Sequence, residues 1–155
     1  MQPAVAKGLS ISIDETVDLN RQLPRVSTAT VTLIDSDLAH IEFEVPLALD
    51  DLRTFAQRLI MFPRSNDDIV ELVWKSGRQK KSGGSIATGQ LRLCAKMIDV
   101  GGFSELKLEP LEVKTFVPGT KFSIAVGVQP LQLNQLGLSL ETWLTRPSAL
   151  FSFPI

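Results

Sequence analysis

Apolar and polar residues alternate along much of this chain with the period of a β-strand. Ala29, Val31 and Leu33 alternate with Thr30 and Thr32, which places the apolar set on one face. Asp35, Ser36 and Asp37 have turn composition, and beyond them Ala39, Ile41, Phe43 and Val45 alternate with His40, Glu42 and Glu44. The two runs predict a hairpin. Upstream, residues 1–25 read as an N-terminal arm containing Pro3 and Pro24, with one short strand in which Leu9, Ile11 and Ile13 alternate with Ser10 and Ser12.

The period then changes. Leu52, Phe55, Ala56, Leu59 and Ile60 recur at steps of three and four, Asp50 offers a cap, and Pro63 forbids continuation. These signals predict an amphipathic helix over about residues 50–62. A strand over 69–74 follows, apolar at nearly every position except Glu71, a pattern expected of a central strand. Residues 76–84 form the most polar stretch and read as a loop. Leu91, Leu93, Ala95 and Met97 share the face of a further strand, residues 99–102 are a turn, and Leu106 and Leu108 begin the next run. Pro110 shifts the phase to Leu111 and Val113, which predicts a bulge or break. Pro118 and Gly119 turn the chain; Phe122, Ile124, Val126 and Val128 face inward; Pro130 ends that run; and Leu136, Leu138 and Leu140 supply a last strand.

Seven to nine strands around one helix, joined mostly by short turns, lack the strand–helix alternation of a parallel sheet. The expected fold is mainly β, an antiparallel sandwich or jelly-roll-like domain. Its organisation is an arm at 1–25, a β-rich domain at 26–147 and an apolar tail at 148–155.

Composition bounds the class. The chain has 155 residues, 44% hydrophobic and 21% charged, enough to bury a core without a disulfide or structural metal. Cys94 is the only cysteine, and His40 the only histidine, which excludes disulfide frameworks and cysteine-based zinc clusters. No apolar run reaches the roughly 20 residues of a membrane-spanning helix, so a cytoplasmic protein is expected. Net charge is −1, but residues 1–71 hold twelve acids and six bases while residues 72–155 hold ten bases and five acids. A fold that separated the halves would have a dipole; a fold that interleaves them would not.

Candidate chemistry is sparse. A Ser–His–Asp triad would have to use His40, which stands on the polar face of its strand beside Glu42. Cys94 has Arg92 and Lys96 at i±2, and such cations favour a thiolate, although a structural thiol is the simpler reading. Among the acidic pairs and clusters, Asp67, Asp68 and Glu71 are the least easily dismissed as turn or cap residues, though they lack the glycine pattern of a calcium loop. The stretch 83–89 resembles a phosphate cradle but lacks the Lys-Ser/Thr ending of a P-loop. No catalytic residue, cofactor, metal or small-molecule substrate is therefore assigned. Two surface elements stand out. Lys75, Arg78, Lys80 and Lys81 lie within seven positions without an acid, suited to the phosphates of nucleic acid or to anionic membrane. The tail ends Leu150, Phe151, Ser152, Phe153, Pro154, Ile155, and so apolar a segment must dock, either on its own sheet or as an oligomer contact on a neighbouring copy.

Three functions follow. The first is a non-catalytic, self-assembling structural protein, a homo-oligomer whose layout over residues 26–145 resembles that of small viral coat or matrix proteins; that resemblance implies the host cytoplasm and the virion as its places. It departs from many coat proteins in lacking an arginine-rich arm. The second is an adaptor for nucleic acid or anionic membrane, of the viral movement-protein kind, working through the basic segment. The third is an enzyme or small-ligand carrier with a pocket inside the sandwich.

Overall fold

A computed structural model describes residues 7–16, 26–36, 39–81, 84–98, 102–113 and 123–155; at 14–16, 26–27, 79–81, 84–89 and 112–113 it describes the backbone alone. The predicted hairpin is formed by β2 (Val26–Ser36) and β3 (Ala39–Pro46), with Val31 opposite Phe43 and Leu33 opposite Ile41. Its inward residues Val31, Leu33, Ile41, Phe43 and Val45 are all buried. Alternation predicted these strands because each has one wet face, which keeps the pattern clean.

The segment read as an arm contributes β1 (Gly8–Thr16), a full strand against β2 that buries Leu9 and Ile11. Along its other edge lies β9 (Leu150–Pro154), the apolar tail, paired antiparallel with Leu9 opposite Phe153 and Ile11 opposite Phe151. Of the two dockings open to the tail, the structure has the one on its own sheet. Gly8 makes the approach possible, since a Cβ there would stand 2.1 Å from the Phe153 carbonyl oxygen. The tail's end is fastened by the Ile155 amide, which donates to the Lys7 carbonyl at 2.7 Å.

In the second half, β4 (Ile69–Trp74), β5 (Gly77–Lys81), β6 (Gly84–Met97), β7 (Ser104–Val113) and β8 (Ile124–Val128) complete the nine antiparallel strands found among the described residues. The hydrogen-bonded path runs β8-β7-β6-β5-β3-β2-β1-β9, with β4 on β6. On one edge the 14-residue β6 carries β5 along 84–88 and β4 along 91–96, so β4 and β5 are two pieces of one interrupted rail. Register shifts fall at Thr88–Leu91 of β6 opposite Pro110 to Val113 of β7, where the phase change at Pro110 predicted a bulge. The sheet folds over, with β8 lying against β2 and β3, and a single sandwich-like core results.

Four expectations are corrected. The loop at 76–84 is largely strand β5, because both of its edges find partners, Phe43 and Glu44 of β3 on one side and residues 84–88 on the other. Strand β4 is not central: it alternates, burying Val70, Leu72 and Trp74 while Ile69 and Val73 remain 49% and 36% exposed. Leu111 points outward, since it is the extra residue of the bulge. The predicted last strand through Leu136, Leu138 and Leu140 is a helix, so two helices stand among the described residues.

Those helices are α1 (Leu49–Ile60) and α2 (Pro130–Thr145). The first buries the predicted Leu52, Phe55, Ala56 and Leu59; Asp50 lies inside its first turn rather than at the cap, which is Ala48. The second opens with Pro130 in its first turn, where a missing N–H costs nothing, and the Gln132 side chain accepts from the Gln129 amide at 2.9 Å. It buries Leu133, Leu136, Gly137, Leu140, Trp143 and Leu144, at helical steps. A Cβ at Gly137 would lie 2.7 Å from the Ala56 carbonyl oxygen and 2.9 Å from the Leu59 Cβ, so the helices meet there backbone to backbone. Three residues earlier, the Asn134 amide donates to the carbonyls of Leu59, Ile60 and Phe62 at 2.9, 3.2 and 2.6 Å, satisfying the C-terminal end of α1. At its far end, α2 stacks Trp143 on Phe151 of β9, ring centroids 5.6 Å apart. Among the described residues no helix is long and apolar enough to cross a membrane.

Two outcomes follow from this packing. In an isolated helix Gly137→Ala would be stabilising by up to about 1 kcal/mol; here overlap with Ala56 and Leu59 reverses the sign, and denaturant titration is expected to show a net loss of about 1–3 kcal/mol. Deleting residues 148–155 strips Phe151 from the core, a side chain whose burial is worth about 1.5–3 kcal/mol, and bares the β1 edge. Circular dichroism melting is expected to show a lowered midpoint; an unchanged one would mean that the tail is dispensable to the fold.

Candidate functional site

The basic segment divides. Lys75 and Arg78 are exposed, at the junction of β4 with β5 and on β5 itself, and Arg78 sits directly opposite Glu44 of β3. Lys80 and Lys81 continue β5, and their side chains lie outside the described residues. The cations are thus carried on a paired strand, not on a free loop. In the tail, Phe151 is buried, Phe153 and Ile155 pack partly buried against the core, and Leu150 is 59% exposed. The glycine-rich stretch runs into β6 rather than into a helix N-terminus. His40 is exposed opposite Ile34, and among the described residues no hydrogen bond or ion pair holds its ring.

Charged side chains are organised on the outer face of β4, β6 and β7. Arg92 is gripped by Glu109 and lies 3.4 Å from Glu71; Lys107 meets Glu109 at 3.1 Å and Lys96 meets Glu105 at 3.5 Å. Burial alone would raise the Glu109 carboxyl, but Arg92 and Lys107 outweigh it and hold it below its ordinary value. Cys94 stands at the centre of this lattice, only 4% exposed. Burial pushes its thiol up; Arg92 and Lys96 pull the other way, and the carboxylates of Glu71 and Glu109 oppose them. It is a structural thiol.

Asp68, of the acidic cluster, belongs to a turn. Its carboxylate accepts from the Arg64 amide at 2.9 Å and lies 3.4 Å from the Arg64 and 3.7 Å from the Arg58 guanidinium. Burial opposes its ionisation, yet these donors prevail and the carboxyl is held below its ordinary value. With Glu71 turned to Arg92, the three acids do not converge, and among the described residues no group of three or more His, Cys, Asp or Glu could hold a metal ion.

The same Arg58 links α1 to β4, donating to the Ile69 carbonyl at 3.0 Å. Between the two elements runs an open cleft of about 220 Å³, bounded by Asp51, Thr54, Phe55 and Arg58 of α1 and by 71–73 of β4. It combines an apolar floor at Phe55 and Leu72 with carboxylates at Asp51 and Glu71. Sequence reasoning missed it: a strand taken as central has no free edge to offer, and the outward Ile69 and Val73 were counted as core.

Because Asp68 and Glu109 titrate below their ordinary values in the folded state, the stability they contribute is complete at neutral pH. It is lost as pH falls from the ordinary carboxylate value near 4 through the depressed native values. Asp68→Asn is expected to cost about 1–3 kcal/mol at neutral pH by weakening the acceptor for Arg64, and to flatten the acid limb of a stability-against-pH curve. An acid limb identical to that of the wild type would show that Asp68 carries none of this linkage.

No protein-family model, no curated protein and no solved structure matches the chain, so its function is argued from its own surfaces.

Proposed function

We propose that this protein is a non-catalytic structural domain that self-associates through the outer face of α2. One observation carries the reading. The exposed residues of α2 are Leu131, Gln135, Leu138, Thr142 and Thr145, a stripe at steps of four, three, four and three. That is the spacing of a helix–helix seam. Glu141 is the only charge in the helix, whereas a helix that faces water normally carries charge on its outer side. Thr142 and Thr145 spend their hydroxyls on the Leu138 and Glu141 carbonyls at 2.9 and 3.0 Å, which leaves their methyl groups for packing.

The stripe is also self-complementary. Its positions are evenly disposed about Leu138, so a two-fold axis there sets Leu138 on its own copy and Leu131 on Thr145 of the second chain without opposing like charges. A helix of this length offers a seam about 24 Å long. The sandwich-like domain supports a coat or matrix type of assembly within this reading, by its architecture.

Light scattering coupled to size-exclusion chromatography, at low and high salt, tests it. The wild type is expected as a salt-insensitive dimer or larger oligomer and Leu138→Glu as a folded monomer, since Leu138 is already 54% exposed and its replacement leaves the core intact. A monomeric wild type at high protein concentration would overturn the reading. Salt-sensitive binding of RNA or anionic vesicles by that monomer would favour the segment of Lys75 and Arg78 instead.

A further inference from the structure

Among the described residues, strand β4 has one edge without a strand partner. The Ile98 amide donates to the Phe103 carbonyl, which fixes the phase of the β6–β7 ladder: even-numbered residues of β6 bond to β7, and odd-numbered ones turn to β4. Opposite them, Val70, Leu72 and Trp74 bond to β6, and Ile69, Glu71 and Val73 turn their backbone groups the other way. Arg58 confirms the direction by taking the Ile69 carbonyl. Among the described residues nothing takes the backbone groups of Glu71 and Val73 on that side, and they open into the cleft beside α1. The β9 end of the sheet differs. At β9 the outward positions are Leu150, Ser152 and Pro154; the proline has no N–H, and Ser148 occupies the Leu150 carbonyl.

We propose that an extended peptide segment carrying lysine or arginine adds to β4 as a further strand in this cleft, pairing its backbone with Glu71 and Val73 and its cation with Asp51 and Glu71. The charge of the cleft selects that occupant. Arg58 is committed to Asp68 and Ile69, whereas Asp51 has no ion-pair partner among the described residues, and Glu71 remains 46% exposed beside its one contact with Arg92. The unbalanced charge is negative. Ile69 and Val73 flank Glu71 on the outer face, so apolar side chains on either side of the cation would cover them. The site is separate from the α2 seam and does not rest on it.

The full chain is titrated with labelled extended peptides that carry one lysine with valine two positions to either side of it, with the same peptides carrying glutamate in place of lysine, and with the lysine peptides N-methylated at alternate amides. Fluorescence anisotropy reports affinity and amide hydrogen exchange reports the Glu71 and Val73 N–H groups. The lysine peptide is expected to bind at least about tenfold more tightly than the other two, to slow exchange at both amides, and to lose about tenfold in affinity to Asp51→Lys. Asp51 is exposed in the first turn of α1, and its replacement is expected to leave the core intact. Equal binding of the lysine and glutamate peptides, full binding by the N-methylated peptide, no binding at low salt, or unchanged exchange at Glu71 and Val73 would each overturn the proposal. Self-association that Asp51→Lys abolishes, without peptide binding, would give the edge to a second copy.

Discussion

The backbone-to-backbone approach of α2 to α1 at Gly137 is the contact on which both surface readings depend. Because no side chain intervenes, Asn134 comes within reach of three carbonyls at the end of α1 and fixes where that helix stops. The position of α1 then sets the opening beside β4, with Arg58 and Asp68 as the tie. The roll of α2 about its own axis follows from the same contact: with Gly137 inward, Leu131 and Leu138 can only face out. A larger residue at 137 would push the helices apart, and cleft and seam would change together.

How much the sequence revealed depended on whether a residue's surroundings were local. Strands β2 and β3 were legible because each pairs with its chain neighbour and has one wet face, and α1 was legible because its outer side is charged. Helix α2 was not. With leucines at 131 and 138 outside and at 133, 136 and 140 inside, alternation and helical spacing are both satisfied, and only Pro130 and Gln132 favoured a start over a stop. The element that carries the proposed association was therefore hidden by the very apolarity that makes it a seam. Strand β5 was invisible for the opposite reason: Gly77 to Lys81 has loop composition, and besides its neighbour at 84–88 it takes partners distant in sequence, Phe43 and Glu44, that alternation does not announce.

Ion pairing among the described residues cancels little of the charge asymmetry between the two halves. Asp35 meets Lys7, and Asp68 meets Arg58 and Arg64, all within the acidic half; Lys96 and Lys107 find Glu105 and Glu109 within the basic half; Arg92 crosses to Glu71. What survives unpaired among the described residues includes local charge, such as Asp51 beside the cleft, that is suited to recognition at short range.

Strand β9 also bears on how the chain is made. Its partner β1 leaves the ribosome well before it, since residues 150–154 follow more than a hundred positions later. At the usual pace of about 5–20 residues per second, β1 waits seconds with one hydrogen-bonding edge open. A nascent sheet in that state is a template for any passing strand, including the same edge on a neighbouring polysome. The final pairing is non-local, so its closure is slow as well as late. The glycine that admits β9 is therefore a point at which order of synthesis and order of folding are set against each other.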